Sequence, residues 1–386
     1  MSACYVLPMK HTQHLASLWS IAVLLLASAC QSTTTAQVKT PPAPSIQINT
    51  ETAQPVTPPG TPSLFSSTTP ILPASTSTFT PTTTLTPSPT PDPMSIVALR
   101  AGSYPGSDIV IENELTPGAN YHRYYASYLS QGLKIYALLT VPNAKMPPGG
   151  WPALVFNHGY IPPKLYRTTE RYIAYVDDLA QAGYVVFRID YRGNGSSEGV
   201  ASGAYGDPGY TIDVLNAISS LERYPQVNPQ KIGMWGHSMG GFLTLRAMVI
   251  SKDIKAGVIW SGVVGSYDDM INKWHRSASV PTTQPGAPNW RLGWLDIYGT
   301  PEQNPTFWDS LSATSYLADL SGPLQLHHDT SDSEVPYVFS QTLAERIKAV
   351  GGTVDFYSYP GDDHNLTNSF GLAMTRTIEF FNKYLK

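Results

Sequence analysis

Short apolar runs alternate with longer segments of mixed polarity along the chain, from about residue 121 to its end. Runs of about five residues that are apolar at nearly every position are typical of strands buried on both faces of a sheet. Residues 153–157 form such a run, and eight strands are predicted in all, at residues 121–128, 133–141, 153–157, 184–190, 231–235, 255–260, 323–327 and 353–359. The first two are joined at Ser130-Gln131-Gly132, a short turn that favours an antiparallel pair.

Helices are predicted between these strands and after the last one, at residues 170–181, 210–223, 242–250, 336–350 and 372–384. A succession of strand, helix and strand builds a parallel sheet that is covered by helices on both faces. We therefore expect an α/β fold with a mostly parallel, eight-stranded sheet. In such a fold, the active site lies at the carboxyl ends of the strands.

Residues 262–320 interrupt this alternation. The interval has several prolines and no clean periodicity, and it contains four tryptophans, at positions 274, 290, 294 and 308. Long irregular segments in compact domains are often lids or binding loops, so an insertion that caps the site is predicted. The tryptophans would then contact an apolar part of the substrate, or they would pack the insertion onto the core.

The amino-terminal residues 1–29 have the pattern of an export signal. Lys10 and His11 precede an apolar run at residues 18–27, which is too short for a comfortable membrane span. Small residues then lead into Cys30, and this arrangement resembles the bacterial lipoprotein signal. The resemblance implies cleavage before Cys30, lipidation of its thiol and an extracytoplasmic, membrane-anchored protein. An ordinary cleavage site with an incidental cysteine is the alternative.

Residues 30–93 are dominated by Thr, Ser and Pro, and Lys39, Glu51 and Asp92 are their only charged members. Such a segment buries too little apolar surface to offset its chain entropy, so it is predicted to be a disordered spacer before a catalytic domain at 94–386. No cysteine follows Cys30, which excludes a disulfide within that domain. The formal net charge of −4 and the absence of a basic cluster give no reason to expect nucleic acid as a partner.

One five-residue motif carries the chemistry: Gly236-His237-Ser238-Met239-Gly240 lies between a predicted strand and a predicted helix. A serine hydroxyl is a poor nucleophile at neutral pH, and a tight strand-to-helix turn presents it to a base and to backbone N–H groups. The glycines remove side chains that would collide in this turn. The motif therefore predicts a nucleophile elbow; a glycine-rich turn without catalytic function is the alternative.

A nucleophilic serine needs a base and an acid that orients the base. His364 is the only histidine after the predicted strand at 323–327 and its following loop, and it lies in the loop after the last strand. Asp329 and Asp332 both follow the strand at 323–327, and we favour Asp332 because it stands where the next helix is about to begin. Three further loop carboxylates are interpreted, together with Asp329, as solvated: Glu334, Asp362 and Asp363.

The serine also needs donors for the oxyanion. The N–H of Met239, directly after the serine, is one candidate, and the N–H of Tyr160, after the strand at 153–157, is the second. His158 is then a structural residue of this loop, and Asp190 and Arg192 are interpreted as a polar network that fixes another loop. Neither a cofactor nor a metal is expected, since the acidic residues lack the spacing of a metal site.

The order Ser, Asp, His resembles the α/β-hydrolase superfamily over nearly all of residues 121–386. Tyr359-Pro360-Gly361-x-x-His364 looks like the corresponding segment of the prolyl oligopeptidase family and its dienelactone-hydrolase-like relatives. The segment from His328 to Asp332 resembles their H-G-T-x-D loop, with Asp329 in place of glycine. Asn157 departs from the pattern, because several of these peptidases carry an oxyanion tyrosine there.

The resemblance implies a serine hydrolase that cleaves an ester or a peptide bond through an acyl-enzyme. Ser238 would be the nucleophile, His364 the base, and Asp332 the acid that orients it. A prolyl oligopeptidase-like serine peptidase and a carboxylesterase are the two enzymatic alternatives. A surface binding module that has the fold without turnover is the third.

Overall fold

The computed structural model describes residues 92–274 and 290–386. The predicted signal at 1–29, the lipidation site at Cys30 and almost all of the spacer at 30–93 lie outside the described residues. Within the described ranges, no helix is both long enough and apolar enough to cross a membrane.

A nine-stranded sheet forms the centre of the described part of the chain. Its strands are β1 (Val110–Leu115), β2 (Tyr121–Ser130), β3 (Leu133–Pro142), β4 (Trp151–Asn157), β5 (Val185–Ile189), β6 (Val227–His237), β7 (Ala256–Trp260), β8 (Leu324–Asp329) and β9 (Val354–Tyr359). Their spatial order is β1-β2-β3-β5-β4-β6-β7-β8-β9. The neighbouring pairs β1-β2, β2-β3 and β3-β5 are antiparallel. All the other neighbouring pairs in this order are parallel.

The α/β-hydrolase fold with a mostly parallel sheet is confirmed, but the prediction of eight strands was wrong by one. Strand β1 was missed because it is short, its centre is polar at Glu112-Asn113-Glu114, and five of its six residues are exposed. Its register with β2 also shifts between Ile111 and Asn113. An edge strand of this kind lacks the periodicity by which buried strands are recognised.

Helices cover both faces of the sheet. They are α1 (Ile96–Ala101), α2 (Ile173–Gln181), α3 (Gly209–Glu222), α4 (Met239–Ile250), α5 (Tyr267–Asn272), α6 (Trp290–Tyr298), α7 (Pro305–Leu311), α8 (Tyr337–Ala349) and α9 (Phe370–Leu385), with a 3₁₀ segment at Ala313–Asp319. Helices α3, α4 and α8 contribute to one apolar cluster, and α2 and α9 to a second. The sheet therefore separates two cores, as expected for helices on both sides.

The described part of the insertion packs on the first of these cores. Trp274 and Trp308 are buried in it, and Trp290 and Trp294 are partly buried against it. Tyr267 of α5 lies among these rings, with its centroid 6.1 Å from that of Trp294 and 5.9 Å from that of Trp308. Of the two roles considered for the tryptophans, the structure shows packing on the core.

Candidate active site

Ser238 lies in the turn between β6, which ends at His237, and α4, which begins at Met239. Its φ of 54° and ψ of −117° are unusual for a residue with a side chain, and such strained geometry is typical of a nucleophile elbow. A Cβ added at Gly236 would lie 2.3 Å from the main-chain oxygen of Gly240. A Cβ at Gly240 would lie 1.9 Å from that of Asn157, so both glycines are sterically required.

The predicted acid and base contact each other. His364 Nδ1 lies 2.7 Å from Asp332 Oδ2, although the two residues come from the β8–α8 and β9–α9 loops. The Asp332 side chain is fully buried, and its Oδ1 accepts the main-chain N–H groups of Glu334 at 2.8 Å and Val335 at 3.1 Å. Burial opposes ionisation of this carboxyl, but the hydrogen bonds from His328 and His364 outweigh it and hold its pKa well below the ordinary value. Asp332 is therefore a carboxylate that favours a proton on Nδ1 of His364.

The other ring nitrogen of His364, Nε2, is the predicted proton acceptor for Ser238. Both side chains line one cavity of about 530 Å³. In the part of the chain that the structure describes, Nε2 of His364 has no hydrogen-bond partner, and no hydrogen bond joins it to the serine hydroxyl. Such catalytic contacts are often long without substrate and tighten when it binds.

The carboxylate interpreted as a solvated alternative, Asp329, is instead completely buried. Its Oδ2 accepts the N–H of Ser331 at 3.0 Å, and its Oδ1 accepts the N–H of Asp362 at 3.1 Å. Asp329 thus connects the loop of Asp332 to the loop of His364, and the interpretation of this residue as solvated was wrong. Glu334 and Asp362 are partly buried, and Asp363 is exposed.

The two predicted oxyanion donors are the N–H groups of Met239 and Tyr160. Met239 is the first residue of α4, so its N–H has no partner within the helix. The N–H of Gly159 is already engaged, because it donates to the Tyr172 hydroxyl at 2.9 Å. No hydrogen bond among the described residues engages the N–H of Tyr160, whose side chain lines the cavity. The structure thus leaves both predicted N–H groups available, and their role stays a prediction.

His158 is enclosed rather than exposed to substrate. Its Nδ1 lies 2.7 Å from the main-chain oxygen of Gly159, and its ring stacks on Tyr166 with centroids 4.6 Å apart. Burial lowers its pKa to about 3. Tyr166, on which this ring stacks, donates to the carboxyl group of Asp190, and Thr168 donates to the same group.

Arg192 forms an ion pair with a buried acid on another element. Its Nη2 lies 2.7 Å from Oδ1 of Asp213 on α3. The carboxylate also accepts the Arg192 main-chain N–H at 2.8 Å. This pair fixes the loop after β5, in agreement with the interpretation of Arg192 as part of a loop-fixing network.

Sequence reasoning missed three residues at the site: Tyr172, His237 and His328. Nε2 of His328 lies 3.1 Å from Oδ2 of Asp332, so two histidines share this oxygen. His237 lies 2.7 Å from the Tyr172 hydroxyl through Nδ1 and 3.0 Å from the main-chain oxygen of His364 through Nε2. The available signals were the position of His237 inside the five-residue motif and that of His328 at the start of the segment that resembles the H-G-T-x-D loop.

The predicted cap contributes to the site indirectly. None of the described residues of the interval 262–320 lines the cavity at Ser238, which is lined instead by residues such as Ile161, Pro162 and Tyr175. The indole Nε1 of Trp274 donates to the main-chain oxygen of Glu334 at 2.7 Å. The insertion therefore supports the loop that carries Asp332.

The profile of the prolyl oligopeptidase family matches residues 171–386, more than half of the chain. The chain belongs to the prolyl oligopeptidase family. This family member is a serine hydrolase with the α/β-hydrolase fold.

Several proteins to which this chain is similar are peptidases by name. The uncharacterized peptidase YtmA of Bacillus subtilis is 26% identical over 259 residues, which cover 66% of this chain and 92% of the relative. The acylaminoacyl peptidase of Pyrococcus horikoshii is 25% identical, with a TM-score of 0.55, over 69% of this chain and 42% of that one. Human dipeptidyl peptidase 8 is 25% identical over 61% of this chain and 25% of the relative. This hydrolase thus spans less than half the length of the latter two.

Proposed function

We propose that the protein is a serine peptidase in which Ser238, His364 and Asp332 form a catalytic triad. The observation that carries the proposal is the 2.7 Å hydrogen bond between His364 and the buried Asp332, beside the cavity that Ser238 also lines. The low pKa of Asp332 keeps its charge next to the imidazole. That charge stabilises the imidazolium that forms when the base accepts a proton.

In the proposed reaction, Nε2 of His364 accepts the hydroxyl proton as the Ser238 oxygen attacks the substrate carbonyl carbon. The N–H groups of Met239 and Tyr160 donate to the resulting oxyanion. His364 then returns its proton to the leaving amine, and the carbon–nitrogen bond breaks to leave an acyl-enzyme. Water, deprotonated by the same imidazole, hydrolyses the ester and restores Ser238.

Peptide substrates are supported by the family and by the names of its relatives. A carboxylesterase is the second candidate, and one observation favours it. Asn157, at the end of β4, is fully buried and donates from Nδ2 to the hydroxyl of Thr244 at 2.9 Å. The side chain thus lies buried beneath the elbow and does not line the cavity at Ser238, so it adds no donor of its own to the oxyanion. Ester cleavage makes a weaker demand on oxyanion stabilisation and is therefore the alternative.

Lipid anchoring at Cys30 is also part of the proposal, and it is supported by the sequence before this cysteine. Expression of the full chain in a bacterium with a labelled fatty acid tests it. We expect the label and the protein in the membrane fraction, and loss of both in Cys30→Ala. An unlabelled wild-type protein would contradict the anchor but leave the hydrolase unaffected.

A fluorophosphonate probe tests the triad in the full chain. We expect stoichiometric labelling of Ser238 in the wild type and none in Ser238→Ala. Absence of labelling in the folded wild type would overturn the proposal. Rates on peptidyl anilides and on short-chain aryl esters then separate the two substrate classes, since a peptidase cleaves both and an esterase only the latter.

A further inference from the structure

Three consecutive hydrogen bonds connect the three loops that surround Ser238. The Gly159 N–H donates to the Tyr172 hydroxyl at 2.9 Å, and this hydroxyl lies 2.7 Å from Nδ1 of His237. Nε2 of His237 lies 3.0 Å from the main-chain oxygen of His364. The chain of bonds thus runs from the loop of the predicted oxyanion donor, past the neighbour of the nucleophile, to the backbone of the predicted base.

The direction of each bond follows from the groups involved. The oxygen of His364 can only accept, so Nε2 of His237 carries the proton. Burial, with a smaller contribution from His364, lowers the pKa of His237 to about 3, so the ring is neutral and Nδ1 is an acceptor. The Tyr172 hydroxyl therefore donates to His237 and accepts from Gly159. Every donor in this series of three hydrogen bonds thus has one acceptor.

The hydroxyl of Tyr172 reaches this position through an unfavourable backbone conformation. Arg171 and Tyr172 have φ values of 57° and 50°, a left-handed pair without glycine. The buried Arg188 guanidinium donates to the main-chain oxygens of Arg171 and Thr168 and so fixes the turn. Strained residues that are held in this way are concentrated at functional sites.

The side chains around Gly159 leave no room for a Cβ atom between Tyr172, His237 and Ser238. A Cβ at Gly159 would lie 2.6 Å from the Tyr172 oxygen, 3.1 Å from Nδ1 of His237 and 3.2 Å from Cβ of Ser238. The ring of His237 is also adjacent to that of His364, with centroids 4.7 Å apart. A small shift of Tyr172 would therefore be transmitted to both sides of the serine.

We propose that Tyr172 and His237 are positioning residues that set the oxyanion loop and the base loop at the correct separation around Ser238. This inference rests on the proposed function. Tyr172 holds Gly159, so that the next N–H, that of Tyr160, faces the substrate oxygen. His237 holds the backbone of His364, so that its imidazole stays within reach of the serine. Neither residue exchanges a proton with the substrate.

Tyr172→Phe removes two of the three hydrogen bonds and leaves the ring. We expect kcat on an activated aryl ester to fall about tenfold, since a misplacement of about 1 Å at a reacting centre can cost about 100-fold and the lost hydrogen bonds allow a smaller shift. KM and the melting temperature should change little. Tyr184→Phe is the matched control, because the Tyr184 hydroxyl donates to Asn382 at 2.9 Å at the other end of α2, away from the cavity. Equal kcat in both variants would overturn the positioning role.

A second pair of variants tests His237 and keeps the inference testable if Tyr172→Phe fails to fold. In His237→Gln, an amide can still donate to the His364 oxygen and accept from Tyr172, whereas His237→Leu can do neither. We expect His237→Gln to retain at least several times the kcat of His237→Leu at similar KM. The same kcat in both would overturn the inference.

Fluorophosphonate labelling separates this inference from the proposed function. Slower labelling of Ser238 in Tyr172→Phe than in the wild type and in Tyr184→Phe supports both. A wild type that reacts at the same rate as Tyr172→Phe overturns only the positioning role. A folded wild type that does not react overturns the two together.

Discussion

The indole N–H of Trp274 donates to the main-chain oxygen of Glu334 at 2.7 Å, so a tryptophan of the insertion holds the loop in which Asp332 lies. Val335, the next residue, is also fixed on both sides, since its N–H donates to Asp332 and its oxygen lies 3.1 Å from Nε2 of His328. The described residues of the insertion thus contact the loop of the proposed acid, and none of them lines the cavity at Ser238.

A comparison of two tryptophan replacements should separate an effect on activity from an effect on stability. Trp274→Phe removes the N–H and part of a buried ring, and we expect a loss of roughly 2 kcal/mol in the free energy of unfolding together with a several-fold lower kcat. Trp308→Phe is the matched control, because Trp308 Nε1 donates to the oxygen of Gly299 at 3.1 Å in the same insertion but away from Asp332. Urea unfolding and ester kinetics check both. A similar decrease of kcat in the two variants would contradict this role of Trp274.

Exchange of the two neighbouring aspartates for asparagine tests the acid assignment. Asp332→Asn should lower kcat by a factor on the order of 10⁴, because an amide favours the wrong tautomer of His364. Asp329→Asn should mainly lower stability, since Asp329 accepts two main-chain N–H groups and does not contact the imidazole. Steady-state kinetics and thermal melting distinguish these effects. Full activity of Asp332→Asn beside an inactive, folded Asp329→Asn would reverse the assignment.

The close backbone approach at the elbow predicts that Gly240→Ala is strongly destabilising. Its Cβ would lie 1.9 Å from the oxygen of Asn157, and neither the strand nor the helix can move without loss of core packing. Gly371→Ala in α9 is the control, since a Cβ there has no atom within 4 Å, and alanine is better than glycine in a helix by up to about 1 kcal/mol. Melting temperatures should thus shift in opposite directions. A stable Gly240→Ala would contradict this account of the turn.

The buried Asp190 predicts a pH-dependent stability. Burial raises its pKa to about 7 despite hydrogen bonds from Thr168 and Tyr166. The native carboxyl then holds its proton where the unfolded one, with a pKa of about 4, has lost it. The stabilisation that Asp190 contributes to the free energy of unfolding is therefore fully present below about pH 4. It is lost at roughly 1.4 kcal/mol per pH unit as the pH rises from there through about 7.

Asp190→Asn cannot ionise and should not have this dependence. Urea unfolding of both proteins at pH 5 and pH 8 measures it. The wild type should lose stability relative to Asp190→Asn between these values. A difference between the two proteins that stays constant over this range would show that Asp190 does not titrate there.

Local patterns were sufficient to predict most of the fold and to name the residues of the proposed triad. Short apolar runs mark the fully buried strands such as β5 and β7, and the elbow glycines follow from sterics within five residues. His364 and Asp332 could be named because each comes directly after a strand, and the carboxyl ends of parallel strands meet at one edge. The ends of β2 and α4 each differ by a few residues from the prediction.

The remaining site residues depend on contacts that no local pattern encodes. Tyr172 meets His237 across 65 positions, and His237 meets His364 across 127. The burial of Asp329 likewise depends on the loop of Asp362, 33 positions away. The tryptophans of the insertion were ambiguous because a cap and a core layer require the same apolar residues.

The polar residues of β1, which made this strand hard to recognise in the sequence, also affect how the protein behaves in concentrated solution. An open sheet edge presents unpaired N–H and carbonyl groups, with which a strand of another molecule can form hydrogen bonds. On β1, Glu112 pairs with Lys134 at 2.6 Å, Glu114 lies near His122, and the shifted register distorts the backbone. Charges and a distorted backbone make this border a poor template for a foreign strand, and so β1 protects the sheet against aggregation.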